Sequence, residues 1–379
     1  MWPGLSTAGW PVRTPMFDRV VIIGVGLIGG SLGLALRRRS LARRVIGVDK
    51  NPENLRLAME SGAVHETTCD PAGAVRGSEL VVIATPVGET TSVLKQLRNY
   101  LSFGAVVTDV GSTKVEVCTR AAEMMPPGTW FVGGHPMAGS EYSGMAGADP
   151  YLFENAFYII TPFPDTPARA VERVKLLAAG VGARVVQMTP EQHDRAVAAV
   201  SHVPHLVAAA LVNTLVEMPG GEDFLPLGAG GFRDTTRVAA GNPLMWRDIF
   251  LSNRGAVIEV LACFRRELER LERAISDRRE EEILTLLEQA SRVRKKIPAR
   301  MRGYLESMFE IVVGIPDRPG MIAGIAGLLG EAGINISDIE ILRVREGEGG
   351  SIRLAFATAA GQEEAVRILR QAGYQVVKR

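Results

Sequence analysis

The chain has 379 residues, 46% hydrophobic and 22% charged, which is enough for two or three domains with cores of their own and excludes a disordered chain. Its 43 Lys and Arg meet 42 Asp and Glu for a net charge of +1, so nothing electrostatic draws it to nucleic acid or an anionic membrane. The 3 cysteines, Cys69, Cys118 and Cys263, are widely spaced with no CxxC pair, which argues against a disulfide framework or thiolate zinc site and for a reducing compartment.

Residues 1–16, rich in Gly, Pro, Ser and Thr, read as a disordered N-terminal segment without the apolar stretch of a signal peptide. No apolar run reaches the roughly 18 residues that span a bilayer, so a soluble, cytoplasmic protein is expected. From residue 19 onward, short β-branched runs at 19–24, 44–48, 80–84, 105–109, 130–133, 157–161 and 183–186 read as strands. Amphipathic stretches at 27–39, 90–101 and 114–125 lie between several of them. Apolar strands alternating with helices predict an α/β unit, 17–189, with a parallel sheet covered on both faces. Beyond Pro190 the period turns helical over 191–217, 243–275 and 277–296, with a Gly-rich loop at 220–231, which predicts an all-helical middle domain, 190–300. Pro298 and Gly303 mark a linker. The final part, 307–379, reads strand, helix, strand, strand, helix, strand, with a hairpin turn at 347–350, an α+β ferredoxin-like unit.

The first strand runs into Gly24-Val25-Gly26-Leu27-Ile28-Gly29, a GxGxxG turn that opens a helix. Gly24 permits the tight turn, Gly26 the approach of a pyrophosphate and Gly29 the packing of helix on strand, while the N–H groups at Leu27 and Ile28 face the phosphates. Asp49 follows about 20 residues on, at the end of the second strand, where an acid accepts from the ribose 2′-OH and repels a 2′-phosphate. The expected cofactor is therefore NAD rather than NADP, with Lys50 next door as the one opposing feature. Thr85, Pro86 and Asp109 end two further strands and are expected to line the same cleft, although Thr85-Pro86 reads equally as a plain strand-to-helix turn.

His135, in Val132-Gly133-Gly134-His135-Pro136-Met137-Ala138-Gly139-Ser140-Glu141, reads as a loop residue after a strand. Imidazole suits removal of an alcohol proton while a hydride leaves the same carbon, but chemistry alone leaves a structural loop histidine as good a reading. His202 and His205, three apart on a helix, suggest half a metal site, but no third ligand is evident and no metal is expected.

The run VGGHPMAGSE, with GSTK upstream and SHVPH and MWRDIF downstream, resembles the bacterial prephenate dehydrogenase family from about residue 19 to 296. The resemblance implies NAD-dependent oxidative decarboxylation of prephenate to 4-hydroxyphenylpyruvate. It implies His135 as hydrogen-bond acceptor for the ring hydroxyl, Ser112 beside it, and Arg237 as the cation for the ring carboxylate. It gives His205 a contact with the substrate side chain, with Gly230 and Trp246 nearby, and makes Glu141 and Asp234 a gating ion-pair network. Read without the resemblance, Arg237 is a solvated helix residue, and Trp246 reads equally as plain helix core.

The C-terminal unit resembles an ACT domain, with Asp317-Arg318-Pro319-Gly320 after its first strand and Asn335-Ile336 before its second. That resemblance implies pairing of two copies and capture of an amino acid, here tyrosine, at the resulting regulatory interface of a homodimer. A purely structural pairing module is the alternative. Arogenate dehydrogenase remains the near alternative for the activity, and a nucleotide-sensing regulatory protein without turnover is the alternative from another class. A β-hydroxyacid dehydrogenase would need a Lys on the first interdomain helix, and 191–217 contains none.

Overall fold

The computed structural model describes residues 15–139, 144–296, 309–316, 318–342 and 350–378, in two compact units, 1–302 and 303–379. In the first unit the strands are β1 (Phe17–Ile23), β2 (Ala42–Val48), β3 (Glu66–Thr68), β4 (Leu80–Ile83), β5 (Val106–Asp109), β6 (Trp130–Pro136), β7 (Phe157–Thr161) and β8 (Arg184–Gln187). They form one sheet in the order β3-β2-β1-β4-β5-β6-β7-β8. The chain reverses its direction of winding at β1, between β2 and β4, so a crevice opens beyond the carboxyl ends of those strands. Register brings the ends together: Ile23 pairs with Val48 on one side and Ile83 on the other.

Helices α1 (Leu27–Arg38), α2 (Pro52–Glu60), α3 (Pro71–Ala74), α4 (Val87–Leu97), α5 (Val115–Met124) and α6 (Ala168–Gly180) accompany the strands. Val20, Val21 and Ile22 are all buried, because α1 and α6 cover one face of the sheet and α4 and α5 the other. Removing a buried side chain such as Ile22 would cost about 2–5 kcal/mol.

The sheet is not wholly parallel: β7 runs antiparallel to β6, with Gly133 opposite Thr161 and Pro136 opposite Tyr158. No crossover helix separates β6 from β7 among the described residues, so β7 starts at the end of the sheet where β6 stops. This pairing carries β6 through Pro136, and His135 is therefore a strand residue rather than a loop residue. The short β3 and the helix α2 are additions to the elements read from the sequence.

The helical part holds α7 (Pro190–Val197), α8 (Val203–Glu217), α9 (Gly230–Thr236), α10 (Pro243–Ser252), α11 (Arg254–Ser276) and α12 (Glu280–Arg294). The expected single helix over 191–217 is interrupted by a π-helical turn, Ala198–His202. Pro204 lacks the N–H that would bond the Val200 carbonyl, so the ladder widens just ahead of it. The expected helix 243–275 is two helices, broken at Asn253, whose side chain bonds elsewhere in the fold. The stretch read as a loop at 220–231 contains a 3₁₀ turn, Gly221–Leu227, and the start of α9. By length and apolarity the continuous stretch Pro190–Glu217 could cross a membrane, and 33% of its most apolar window is buried in the protein.

In the second unit β9 (Phe309–Ile315), α13 (Met321–Glu331), β10 (Asp338–Leu342), β11 (Gly350–Phe356), α14 (Ala359–Gln371) and β12 (Gln375–Lys378) build an antiparallel sheet ordered β10-β11-β9-β12. Ile311, Val313, Ile352, Leu354 and Phe356 alternate inward against Ile325 and Leu329 of α13 and Leu369 of α14. This is the βαββαβ unit expected.

Candidate active site

The glycine turn after β1 has the shape its spacing predicts. Gly24 adopts φ +92°, and a Cβ there would stand 2.7 Å from the Ala84 carbonyl oxygen. A Cβ on Gly29 would stand 1.9 Å from the Gly24 oxygen, whereas one on Gly26 would meet nothing within 4 Å. The backbone at Gly26 thus faces open space at the N-terminus of α1, where no side chain caps Leu27 and Ile28. Thr85 adds a buried hydroxyl with no protein partner, and Pro86 begins α4 without a side-chain cap. Open amides and an orphaned hydroxyl at the ends of β1 and β4 fit a dinucleotide pyrophosphate.

Asp49 holds that turn as well as facing the cleft. Its Oδ2 accepts from the Val25 amide at 2.9 Å and from Asn54 at 3.3 Å, and its Oδ1 accepts from the Asn51 amide at 2.8 Å. Lys50 is drawn to Glu89 of α4 at 2.8 Å. A cation available for a 2′-phosphate is to that extent already occupied.

Asp109 is directed inward. It forms a buried ion pair with Lys114 and accepts from the amides of Gly111 at 2.9 Å and Gly134 at 3.1 Å. Ser112 is half-buried in the turn between β5 and α5, and the residues around it are pinned. Gly111 is held by Asp109, Thr113 meets the Ser252 hydroxyl at 3.0 Å, and Lys114 donates its amide to Asp194 at 2.7 Å.

His135 heads a chain of buried side chains. Its Nδ1 lies 2.8 Å from His193 Nε2, and His193 Nδ1 lies 2.7 Å from Asp194 Oδ1. Asp194 also accepts the Val115 amide at 2.9 Å. Asn253 donates to the Asp194 carbonyl at 2.8 Å and to His202 Nδ1 at 3.1 Å. Burial, then the neighbouring His193, Lys114 and His202, hold the His135 pKa well below the ordinary histidine value. His202 is lowered to about 4, chiefly by burial.

His205 is buried and stacks on Trp246, ring centroids 3.6 Å apart and planes 14° from parallel, while His202 meets the same indole edge-on at 6.1 Å. Burial also lowers the His205 pKa. Gly230, the first residue of α9, and Asp234 on the same helix are exposed. Arg237 is exposed in a 3₁₀ turn, Arg237–Ala240, that packs against α8, the helix of His205. Glu141 and Ser140 lie outside the described residues. Among the described residues no cluster of three or more His, Cys, Asp or Glu is placed to hold a metal ion.

The fold thus gathers the glycine turn, Asp49 and Thr85 at one set of strand ends, Ser112 and His135 at the next, and His205 with Trp246 on the helical side. Sequence reasoning missed His193, Asp194, Lys114 and Asn253. The available signals were the GSTK run, which ends on Lys114, and His193-Asp194 just after Thr189-Pro190-Glu191-Gln192, which forms a capping box.

In the C-terminal unit Arg318 and Pro319 are exposed, and Gly320 takes φ +89° at the start of α13. Asn335 is exposed and Ile336 packs on the core, both beyond the other end of that helix; Asp317 lies outside the described residues. Within one copy, the 11 residues of α13 separate the two groups by about 16 Å.

Sequence profiles match residues 32–187 to the prephenate dehydrogenase nucleotide-binding domain, 189–289 to its dimerization domain and 309–373 to the ACT domain. A prephenate dehydrogenase of Bacillus subtilis is 38% identical over 346 residues, 90% of this chain and 92% of that protein. The chain belongs to the prephenate dehydrogenase family. The crystal structure of A. aeolicus prephenate dehydrogenase with hydroxyphenyl propionate and NAD+ superposes with a TM-score of 0.70 at 36% identity, over 74% of this chain and 98% of that one. An arogenate dehydrogenase of Synechocystis superposes at 0.66 with 33% identity, over 73% of this chain and 99% of that one. The matches give this chain a Rossmann-like unit, a helical unit and an ACT unit.

Proposed function

We propose that the chain is an NAD-dependent prephenate dehydrogenase of tyrosine biosynthesis, converting prephenate to 4-hydroxyphenylpyruvate and carbon dioxide. The observation that carries this is His135, held near the end of β6 by its Nδ1 bond to His193, on a strand of the same sheet whose β1 ends in the open glycine turn. The arogenate reading draws on the Synechocystis relative, but the B. subtilis and A. aeolicus prephenate enzymes are the more similar in identity. A sensor without turnover would have no use for a base so placed.

NAD, when bound, accepts the hydride from the hydroxyl-bearing ring carbon. His135 draws the hydroxyl proton as that C–H pair departs, so the O–H electrons become a carbonyl. The C–C bond to the ring carboxylate then breaks, its electrons making the ring aromatic, and His135 can return the proton to the ring oxygen. Ser112 steadies the hydroxyl and His135. Arg237 holds the ring carboxylate with its planar fork, and His205, with Gly230 and Trp246 nearby, meets the side chain. Asp234 and Glu141 serve as the gating acids. Gly24, Gly26, Leu27, Ile28, Gly29, Asp49, Thr85 and Pro86 hold the cofactor; Asp109 acts from beneath, through Lys114 and the β6 backbone.

We assign residues 17–189, 190–300 and 307–379 to cofactor, substrate and regulatory domains of a cytoplasmic homodimer. Val200, Leu211, Val216, Ile258, Phe264 and Leu268 are large apolar residues of the helical part exposed in one copy, which supports pairing through that part. Tyrosine, the pathway's product, is the proposed ACT ligand, with the Gly320 loop of one copy and Asn335 of another meeting across a pair. The test of the activity is NADH formation followed with prephenate and with arogenate in parallel; faster turnover of arogenate, or none of either, would overturn it.

A further inference from the structure

We propose that His193 and Asp194 form a positioning relay that fixes the tautomer of His135, placing its proton on Nδ1 and leaving Nε2 bare to accept the substrate proton. The proposal rests on the reading of His135 as proton acceptor and adds two residues and a direction to it.

The argument starts from Asp194. Its carboxylate accepts two backbone amides, Lys114 at 2.7 Å and Val115 at 2.9 Å, at the N-terminus of α5. Both carboxylate oxygens are thus already committed as acceptors to N–H donors. An ionised carboxylate can only accept hydrogen bonds, so His193 Nδ1, 2.7 Å from Oδ1, is the donor. A neutral imidazole carries one N–H, which leaves His193 Nε2 as an acceptor. His135 Nδ1, 2.8 Å from that nitrogen, then has to donate. The single proton of neutral His135 is thereby on Nδ1.

The relay is held from three elements. The Thr189–Gln192 capping box sets the first turn of α7, Asn253 ties down the Asp194 carbonyl at 2.8 Å, and α5 receives the carboxylate. His193 and Asp194 are 0% and 1% exposed, so water does not compete for these bonds. The charged and titratable groups around His135 are His193 and Asp194 from α7, the Lys114–Asp109 pair from the β5–α5 region, and His202 from the π-helical turn. Lys114 and Asp109 neutralise one another. When the substrate O–H bond breaks and the Nε2–H bond forms, His135 becomes a cation whose Nδ1–H is already directed along the chain toward the Asp194 carboxylate. Charge developing on His135 is stabilised there without reorganisation. A mere helix cap beside a core histidine would do none of this.

The test uses the full-length protein with Asp194→Asn and His193→Leu. Asn at 194 keeps an acceptor for the α5 amides but removes the charge that dictates the chain's direction. It should lower kcat by about 10²–10⁴-fold, the scale on which a wrong tautomer slows a histidine base. NAD affinity, read by calorimetry, should stay within about threefold. The acid limb of the kcat/KM profile should move to lower pH, because the anion that favours imidazolium is gone. His193→Leu should give a comparable fall while leaving Asp194 on its helix, so a folding defect in Asp194→Asn does not remove the test. Nitrogen-15 NMR of histidine-labelled protein, with only 5 His to assign, reads the tautomer without any substrate. The parent should show His135 protonated at Nδ1, and Asp194→Asn should lose that preference. A parent protonated at Nε2, or both variants turning over within about threefold of the parent, would overturn the relay. A parent with the Nδ1–H spectrum but no turnover of prephenate would strike the proposed activity and leave the relay in place.

Discussion

The Asp49 carboxylate accepts the Val25 amide at 2.9 Å, so the acid proposed for the ribose also braces the glycine turn proposed for the pyrophosphate. Cofactor choice and cofactor affinity are therefore coupled at one side chain. The parent should prefer NAD to NADP in kcat/KM. Asp49→Ala should narrow that ratio and also raise KM for NAD by about tenfold, roughly 1.4 kcal/mol. Equal use of both cofactors by the parent would refute the assignment of Asp49.

His135→Ala should lower kcat by about 10²–10⁴-fold and leave NAD binding nearly unchanged. Because the His135 pKa lies well below 6.5, the base is neutral at pH 7 and activity should persist on acidification past the usual histidine range. The acid limb of kcat/KM in the parent checks the second point; a limb centred near 6.5 would contradict it.

If Arg237 clamps the ring carboxylate, Arg237→Gln should mainly raise KM, since that group is present before and during hydride transfer. The loss should fall within about 2–5 kcal/mol of binding. Steady-state kinetics with prephenate decide it, and an unchanged KM would assign the carboxylate to another cation.

Stability should also depend on pH through His202, whose folded pKa of about 4 lies below the unfolded value of 6.5. The folded state resists protonation, so this contribution is complete above pH 6.5 and lost as the pH falls toward 4. The loss is about 3 kcal/mol in all. Urea unfolding at pH 7 and pH 5 should show a smaller difference for His202→Asn than for the parent. Equal pH dependence in the two would remove His202 from the account.

Tyrosine should inhibit through the ACT unit, with a coupling of about 1–3 kcal/mol. Asn335→Ala in the full-length protein should weaken both the calorimetric binding of tyrosine and the inhibition, leaving kcat without tyrosine unchanged. Because tyrosine resembles the product, inhibition alone proves little; unaltered binding to Asn335→Ala would reduce this site to a pairing module.

Local chemistry carried the parts of this protein that were legible in its sequence. Gly24, Gly26 and Gly29 mark a turn that only residues without a Cβ can make, and the runs around Val20–Ile22 mark strands buried on both faces; both follow from neighbours a few positions apart. His135 and Arg237 were proposed through motif resemblance, again from contiguous residues. What the tertiary structure alone decided comes from side chains far apart in the chain. The antiparallel entry of β7 made His135 a strand residue, and Pro204 with Asn253 broke helices whose periodicity runs on without interruption. Lys114 and Asn253 reach Asp194 across 80 and 59 residues, and His193 reaches His135 across 58. Such contacts leave no periodic trace, because hydrogen bonding in a buried site depends on where elements dock rather than on how they are spaced in sequence.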